Sequence, residues 1–549
     1  MRLKLYLLAI AAVGLFTATS AFAQSYTVTN ARIVTVSGAV IERGSIVVRD
    51  GLIDAVGANV AAPADTIVID GSGLTIYPGL IDSASNLGMP VPQGMSQGGS
   101  FGMGGGTQAP LDGLSNYPAA MRPETLAIDA FKSGDAQFEA ARNAGFTTAV
   151  VSGRTGIFPG ASLVVNLAGE RVSAMSIKSP ASQNITFTTA GGGVYPGSLL
   201  GTFSALRQMF LDAKRQQDIE KIYAADPKSI RRPELDASLT SLYPVIDRKM
   251  PVVFNVSRER DIERALNFAK EFNLKTVISG GQEAWKLAAR LKAEDVPVLL
   301  SLNFPKRTAS AAPGSDPETL AMLRSRVEIP KGAAKLVTAG VKVAFQTGGA
   351  TNLNDVFENA EKTVESGLSK DVAVRAFTLT PAEIFGVAST TGSIEKGKIA
   401  NLVAVRGDIF GKDRTVTHVF VDGKLFEQKP KPVAPPRPAG QTGGTAQPAS
   451  TSIAGTYSIT IDVPGEPLSG TLKFTQAGNT LTGTLGTMLG DAPIQDGKVT
   501  GSAFTFKAIV AYGGTNLNID VNGTVTDGKI SGTIGTEMGA IPFAGTKNP

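Results

Sequence analysis

The sequence predicts an α/β protein with a (β/α)8 TIM-type barrel, a small composite β-domain from both flanks of the barrel, and a C-terminal all-β antiparallel domain. Three observations predict it. Apolar strand-like runs alternate with helical stretches over residues 77–389, as in a parallel barrel. Residues 25–76 and 390–427 have the pattern of short strands instead. Residues 451–549 are rich in Thr, Gly and Val and show almost no helical pattern, which indicates a separate β-domain.

The length and composition favour a globular protein of two or three domains. The chain has 549 residues, of which 42% are hydrophobic and 18% are charged. Its net charge is +5, or 5 − 2 = +3 without Arg2 and Lys4, which is too mild to indicate a nucleic-acid-binding protein. The chain has no Cys, which excludes disulfides and a lipid-anchored cysteine.

Residues 1–24 predict a secretory signal peptide. A positively charged start is followed by the apolar stretch Leu5–Phe16 and by the small-x-small cleavage site Ala21–Ala23. A membrane anchor is the alternative, but the apolar run is shorter than the roughly 20 residues that span a bilayer. No later segment is apolar enough to span one. We therefore expect a soluble periplasmic or secreted protein, cleaved near Ala23.

Two Asp-Gly pairs predict tight hairpins in the composite β-domain. The first, Asp50-Gly51, separates the apolar runs Ile46–Val48 and Leu52–Val56. The second, Asp422-Gly423, ends the strand Val416–Val421. Asp-Gly suits a two-residue turn with positive φ at both positions, so we expect an antiparallel pair of strands around each.

The barrel region supplies the alternating elements. A first strand runs through Pro78-Gly79 into Leu80–Asp82. The further predicted strands are Thr147–Val151, Leu163–Leu167, Ile185–Phe187, Val252–Val256, Thr276–Ile278, Val298–Leu302 and Val341–Phe345. The predicted helices are Asp135–Ala144, Asp261–Phe272, Glu283–Ala293, Pro317–Ala339, Leu353–Ser366 and Lys370–Phe377.

Four stretches fall outside this rhythm. Residues 88–110 are Gly-rich and follow the first strand, so they predict a surface loop or a lid at the barrel mouth. Residues 188–202 are a second Gly-rich connection. Residues 428–450 predict a Pro- and Gly-rich linker. Repeated hairpins in residues 451–549 predict an antiparallel sheet or small barrel, either a structural accessory or a carbohydrate- or surface-binding module.

The first barrel strand resembles that of the amidohydrolase superfamily, whose signature is P-G-[LFM]-[IV]-D-x-H-x-H. Residues Pro78–Asp82 match it. The run G-S-I-E-x-G-K-x-A-x-L-V-x-V within residues 390–427 resembles the superfamily's C-terminal pattern, apart from Asn401 in place of the usual Asp, a change that we expect to be peripheral. The imidazolonepropionase-like branch of exported members is the most similar. The resemblance implies a barrel that holds zinc or another divalent metal and hydrolyses non-peptide C–N bonds, often cyclic amides.

The residues at the positions of the metal ligands depart from that pattern. The resemblance places the ligands and the general base at five positions, occupied here by Ala84, Asn86, Asn255, Gly280 and Gly348. The one His of the chain, His418, lies in the composite β-domain. Zinc requires several His, Cys or carboxylate donors, so we expect no metal cofactor and no family-type metal centre. An all-oxygen site for a harder ion, formed elsewhere, stays open.

The mouth of the barrel remains a candidate binding site. Neutral and cationic residues follow its strands, and a Gly-rich turn after the eighth strand could hold an anion. The candidate substrate-binding residues are Asn86, Asn255, Arg258, Lys306, Arg307, Gly348 and Gly349. We expect a small polar or anionic ligand there, or an unused water-filled cavity. A Ser–Lys catalytic pair is a further alternative.

Three functional hypotheses follow. The first is a superfamily member that has lost metal catalysis, whose barrel serves binding or assembly as a homo-oligomer or beside an active relative. The second is an active hydrolase with an atypical or metal-free site. In the third, the C-terminal β-domain is the main binding module.

Overall fold

The computed structural model describes residues 24–90, 117–134, 136–190, 195–307, 318–350, 352–428, 453–461, 468–487, 490–500, 502–512, 515–526, 528–536 and 539–548. The predicted signal peptide before Gln24, most of the first Gly-rich stretch and the linker after Gln428 lie outside these ranges. The described residues form two compact units, the first ending before the linker and the second following it.

The first unit contains one sheet made from both ends of the barrel. Its eight strands are β1 (Tyr26–Ile33), β2 (Ile41–Arg49), β3 (Leu52–Gly57), β4 (Ile67–Asp70), β5 (Thr75–Pro78), β16 (Leu402–Arg406), β17 (Thr415–Val421) and β18 (Lys424–Glu427). Strand β5 pairs with β1 on one side and with β16 on the other, which joins the two segments. Both predicted hairpins are confirmed: β2 pairs with β3 and β17 with β18, each antiparallel. All four Asp and Gly residues of the turns have positive φ.

The remaining strands of this unit form the barrel wall. They are β6 (Leu80–Ser85), β7 (Phe146–Val151), β8 (Gly160–Ala161), β9 (Leu163–Asn166), β10 (Ser176–Lys178), β11 (Gln183–Thr186), β12 (Val252–Val256), β13 (Thr276–Gly280), β14 (Val298–Ser301) and β15 (Val343–Gln346). Strands β11 to β15 are parallel, as are β6 and β7. The third wall position departs from a regular (β/α) unit, because β8 and β9 run antiparallel to β11 and β7.

Twelve α-helices are described in the first unit. They are α1 (Ala127–Ala130), α2 (Ala136–Asn143), α3 (Val172–Met175), α4 (Leu199–Ala225), α5 (Ala237–Thr240), α6 (Tyr243–Ile246), α7 (Glu259–Glu271), α8 (Ala288–Ala293), α9 (Leu320–Thr338), α10 (Leu353–Glu365), α11 (Lys370–Phe377) and α12 (Leu379–Ile384). Short 3-10 turns occur at Ala119–Met121 and Ala284–Leu287. The prediction for residues 188–202 was incomplete, because α4 begins inside that stretch, where the Ser198 side chain accepts the N–H of Gly201.

Alternate residues of the wall point to the barrel interior. A buried apolar layer fills the barrel and includes Ile81, Val150, Val164, Val253, Val277, Leu299 and Ala344. The intervening residues of the same strands, such as Leu80 and Phe254, belong to the larger cluster between the wall and the helices. Because strands alternate with period two, the next inward positions toward the carboxyl ends include Asn255, Ser279 and Gln346.

The first and last strands of the wall, β6 and β15, belong to two different hydrogen-bonded sheets. Side chains of β6 join them. Ser83 Oγ donates to the Phe345 carbonyl at 2.7 Å. The Asp82 carboxylate accepts the Thr347 backbone N–H at 2.9 Å and the Thr347 hydroxyl at 2.8 Å. We call this junction the β6–β15 seam.

The second unit is a closed antiparallel β-barrel, which confirms the predicted C-terminal all-β domain. Its strands are β19 (Gly455–Ile461), β20 (Leu468–Ala477), β21 (Thr480–Thr487), β22 (Gly490–Pro493), β23 (Gln495–Thr500), β24 (Ala503–Tyr512), β25 (Thr515–Thr526), β26 (Lys529–Thr536) and β27 (Gly539–Lys547). Eight of them close into a ring, and β22 pairs with β21 outside it. The barrel has its own buried core, in which Phe474 lies against Tyr457, Phe504 and Phe506.

None of the helices in the described part of the chain is long and apolar enough to cross a membrane.

Candidate functional site at the carboxyl ends of the barrel strands

The five residues at the expected ligand positions lie at the carboxyl ends of the wall strands. Ala84 and Asn86 lie at the end of β6, and Gly348 follows β15. Gly280 is the last residue of β13. Asn255, on β12, is exposed although the other four residues of that strand are buried. Since Asn255 shares the inward face with Val253, the barrel is open to solvent at this end.

Two of these positions have no room for a side chain. Gly280 has φ +94°, and a Cβ there would lie 2.5 Å from Ser257 Oγ. Gly348 has φ +63°, and a Cβ there would lie 2.1 Å from Ser301 Oγ. Positive φ is strained for residues other than Gly, and contacts below 3 Å force a displacement. A His or Asp could occupy neither position without a change in the backbone or its neighbours.

The side chains present do not fit a zinc-type centre. Ala84 and the two glycines offer no donor, and Asn86 and Asn255 offer only neutral amide oxygens. Within the part of the chain that the structure describes, no group of three or more His, Asp or Glu side chains could hold a metal ion.

The inward-facing residues at the mouth form hydrogen bonds with one another. Gln346 Nε2 donates to Ser279 Oγ at 3.1 Å and to the Leu299 carbonyl at 2.7 Å. Asn303 Nδ2 donates to the Gly348 carbonyl at 3.1 Å. This layer is neutral, since it consists of amides and hydroxyls.

The three cationic residues predicted to bind a ligand, Lys306, Arg258 and Arg307, have different surroundings. Lys306 forms an ion pair with Asp355 at 2.6 Å, which largely neutralises its charge. Arg258 directly precedes α7 without a capping hydrogen bond from its side chain and is exposed, and Arg307 is exposed as well. Of the three, Lys306 thus already has an acidic partner, and Arg258 and Arg307 extend to the surface.

A cavity of about 350 Å³ does bring two of the predicted residues together. Asn86 and Gly349 both line it, beside Asp82, Thr347 and Arg154. Neither Asp82 nor Arg154 was singled out as a binding residue from the sequence. The available signal was their position, since Asp82 is the last residue that matches the signature motif and Arg154 lies in the loop after the second wall strand.

Asp82 is the buried acid of this cavity. Burial raises the pKa of its carboxyl to about 6, although hydrogen bonds from the Thr347 N–H and hydroxyl, the Ser85 hydroxyl and the Ala84 N–H lower it. Its carboxylate therefore has four donors and, among the described residues, no adjacent ion-pair partner, which suits a structural role at the β6–β15 seam.

A Ser–Lys contact exists, but away from the barrel mouth. Lys398 Nζ donates to Ser393 Oγ at 2.6 Å and to Glu395 Oε1 at 2.9 Å, next to the small sheet. Hydrogen bonds from Ser393 and then Lys398 lower the pKa of Glu395 to about 2. A Lys398 ammonium paired with an ionised carboxylate is a donor, so it is not the base that a nucleophilic serine needs.

His418 lies in β17, as the sequence predicted for the composite β-domain. It is half-buried, with Nδ1 3.0 Å from Thr417 Oγ1. Burial lowers its pKa, against the nearby Glu427, which raises it. It takes no part in the barrel mouth.

The expectation that the change at Asn401 is peripheral was wrong. Asn401 is buried, and its Nδ2 donates to Asn166 Oδ1 at 2.8 Å and to Thr148 Oγ1 at 3.1 Å in the barrel wall. Its Oδ1 accepts the Asp422 N–H at 2.8 Å in the small sheet. The residue is therefore a link between the sheet and the barrel, and an amide can both donate and accept there, whereas a carboxylate only accepts.

Comparison with known proteins supports the fold. The model of the amidohydrolase family matches residues 320–426. The chain resembles the crystal structure of an amidohydrolase from Thermotoga maritima MSB8 with 24% identity and a TM-score of 0.60, over 73% of this chain and 100% of that one. No curated protein matches in sequence.

Other solved structures are more distant. An Xaa-Pro dipeptidase with bound methionine has 17% identity and a TM-score of 0.44, over 74% of this chain and 100% of that one. Molinate hydrolase has 17% identity and a TM-score of 0.42, over 77% and 100%. Likeness at this level carries no inference about the reaction. Residues 320–426 are thus similar to the amidohydrolase family, and the resemblance to the Thermotoga maritima structure shows the fold of the chain.

Proposed function

We propose that this protein is an exported, imidazolonepropionase-like member of the superfamily that has lost metal-dependent hydrolysis, and that its barrel serves as a binding element. One observation carries the proposal: Gly280 and Gly348 stand at positive φ with no room for a side chain. At two of the five ligand positions the donor side chain is missing, and the backbone conformation also favours glycine over any residue with a side chain.

Export is part of the proposal, and it rests on the positively charged, apolar and small-x-small order of residues 1–24. Expression of the full chain in a Gram-negative host tests it. We expect the protein in the periplasmic fraction with Gln24 as its new N-terminus. Full-length protein retained in the cytoplasm would contradict export without affecting the argument about the barrel.

The proposed ligand is a small polar or anionic molecule at the open end of the barrel. The neutral layer at Asn255, Ser279 and Gln346 and the exposed Arg258 and Arg307 support this ligand class. Thermal-shift screening of small anions against the wild type and the Arg258→Gln/Arg307→Gln variant tests it. Ligand-induced shifts that survive the double substitution would exclude these two cations from the binding site.

A further inference from the structure

We propose that the cavity beside the β6–β15 seam binds a small carboxylate with an apolar body, held by Arg154. This inference rests on the proposed binding role of the barrel and names a site and a ligand class for it. The cavity lies between β6, helix α2 and the start of α10, and of the five expected ligand positions Asn86 alone lines it.

The floor of the cavity is apolar. It is lined by Ala140 and Ala141 of α2, by Phe146 of β7, by Leu167 just after β9 and by Leu353 of α10. Its volume of about 350 Å³ suits a compact organic molecule such as an aromatic or short aliphatic acid. Transfer of such an apolar body from water onto these side chains provides a favourable free energy.

The rim of the cavity offers donors for an anion. Arg154 is exposed and donates to the Asn86 carbonyl at 3.2 Å, and no carboxylate pairs with it within the described ranges. Most of its five N–H donors are therefore open to a ligand. A planar guanidinium matches a carboxylate in a bidentate geometry, which favours this anion over a point-like one.

The glycine turn adds a backbone donor to the cavity lining. Gly349 has φ +70°, and a Cβ added there would meet nothing within 4 Å, so this wall of the cavity is open. The backbone N–H of Gly349, which lines the cavity, has no acceptor among the described residues. Asp82, the one acid among the described lining residues, accepts four hydrogen bonds, and its burial raises the pKa of its carboxyl to about 6.

Titration calorimetry of the full-length mature protein tests this inference with phenylacetate, hexanoate and the neutral isostere phenylacetamide. We expect a carboxylate to bind about tenfold more tightly than the amide, the size of one charge-assisted contact. Arg154→Gln should abolish that preference. Ala140→Leu, which fills the cavity from an exposed helix position, should weaken both classes of probe. Arg215→Gln, which removes an exposed arginine of α4 outside the cavity, is the matched control and should bind as the wild type does. Arg258→Gln removes an arginine at the barrel mouth and shows whether the probes bind there instead.

Three results would overturn the inference: no binding of either acid at millimolar concentration, an unchanged preference in Arg154→Gln, or loss of binding in Arg258→Gln instead. The last would retain a ligand site at the barrel mouth and reject this cavity. None of the three bears on the loss of metal catalysis, because metal content decides that separately.

Discussion

Single residues at the β6–β15 seam have properties that a titration can measure. Asp82 is buried with its pKa raised from 3.8 to about 6. The folded state therefore holds this proton more tightly than the unfolded state does. The resulting stabilisation is complete below pH 3.8 and is lost as the pH rises through 6.

We predict that the free energy of unfolding of the wild type, relative to Asp82→Asn, falls by roughly 3 kcal/mol between about pH 3.5 and pH 7, since a shift of one pKa unit is worth about 1.4 kcal/mol. The Asn side chain does not titrate, so the variant isolates this group. Denaturant unfolding at a series of pH values measures the difference. A constant difference across that range would show that the hydrogen bonds around Asp82 cancel the effect of its burial, and a rising difference would show that they outweigh it.

Asn401 gives a second prediction at this scale. Replacement by Ala leaves Asn166, Thr148 and the Asp422 N–H without this partner in a buried place, so Asn401→Ala should cost roughly 2–4 kcal/mol of unfolding free energy. Asn267→Ala, at an exposed position on α7, is the control and should change stability by less than about 0.5 kcal/mol. Equal effects in urea unfolding would contradict the role of Asn401 as a link.

The turn after β15 allows a matched comparison of two glycines. Gly348 and Gly349 have similar positive φ, but only Gly348 is crowded. Gly348→Ala should therefore destabilise the protein more than Gly349→Ala, by at least about 1 kcal/mol, because both substitutions carry the backbone strain and one adds a steric clash. Thermal unfolding of both variants measures this. If the two variants lose equal stability, crowding at position 348 is not what prevents a metal-binding side chain from occupying it.

At the scale of elements, local sequence patterns predicted the hairpins and most wall strands, but they did not predict features that depend on contacts between distant segments. The Asp-Gly turns fix their own backbone, so the sequence sufficed. The antiparallel direction of β9 was not readable, because buried strands of either direction have the same apolar pattern. Helix α4 could have been found: its buried residues Leu206, Met209, Phe210 and Ala213 recur every three or four positions. Arg154 could not be recognised as a binding residue from the sequence, because the cavity that it lines is formed only when distant segments of the chain come together in the fold.

The β6–β15 seam yields a prediction for whole strands. Ser83 is fully buried, and its hydroxyl satisfies the Phe345 carbonyl. Ser83→Ala should cost about 1–2 kcal/mol and speed hydrogen exchange of the amides in β6 and β15 more than in β12 and β13, whose ladder is intact. If exchange accelerated equally in all four strands, the barrel would not open locally by separation of β6 from β15.

At the scale of the whole molecule, each compact unit has its own apolar core. The repeated hairpins predicted the antiparallel character of the second unit, but the closure of its ring through β19 and β27 is a pairing distant in sequence. In the first unit, two residues of the motif have structural contacts: Asp82 joins β6 to the residue after β15, and Gly79 lies so close to Thr147 of β7 that a Cβ would approach its Oγ1 to 2.1 Å.

The metal content of the mature protein, purified without chelators and measured by mass spectrometry, tests the loss of metal catalysis most directly. We predict well under one equivalent of zinc, iron, manganese or any other divalent metal per chain, and no hydrolysis of cyclic amides that a chelator removes. One tightly held equivalent, together with C–N hydrolysis that the chelator abolishes and the metal restores, would contradict the account.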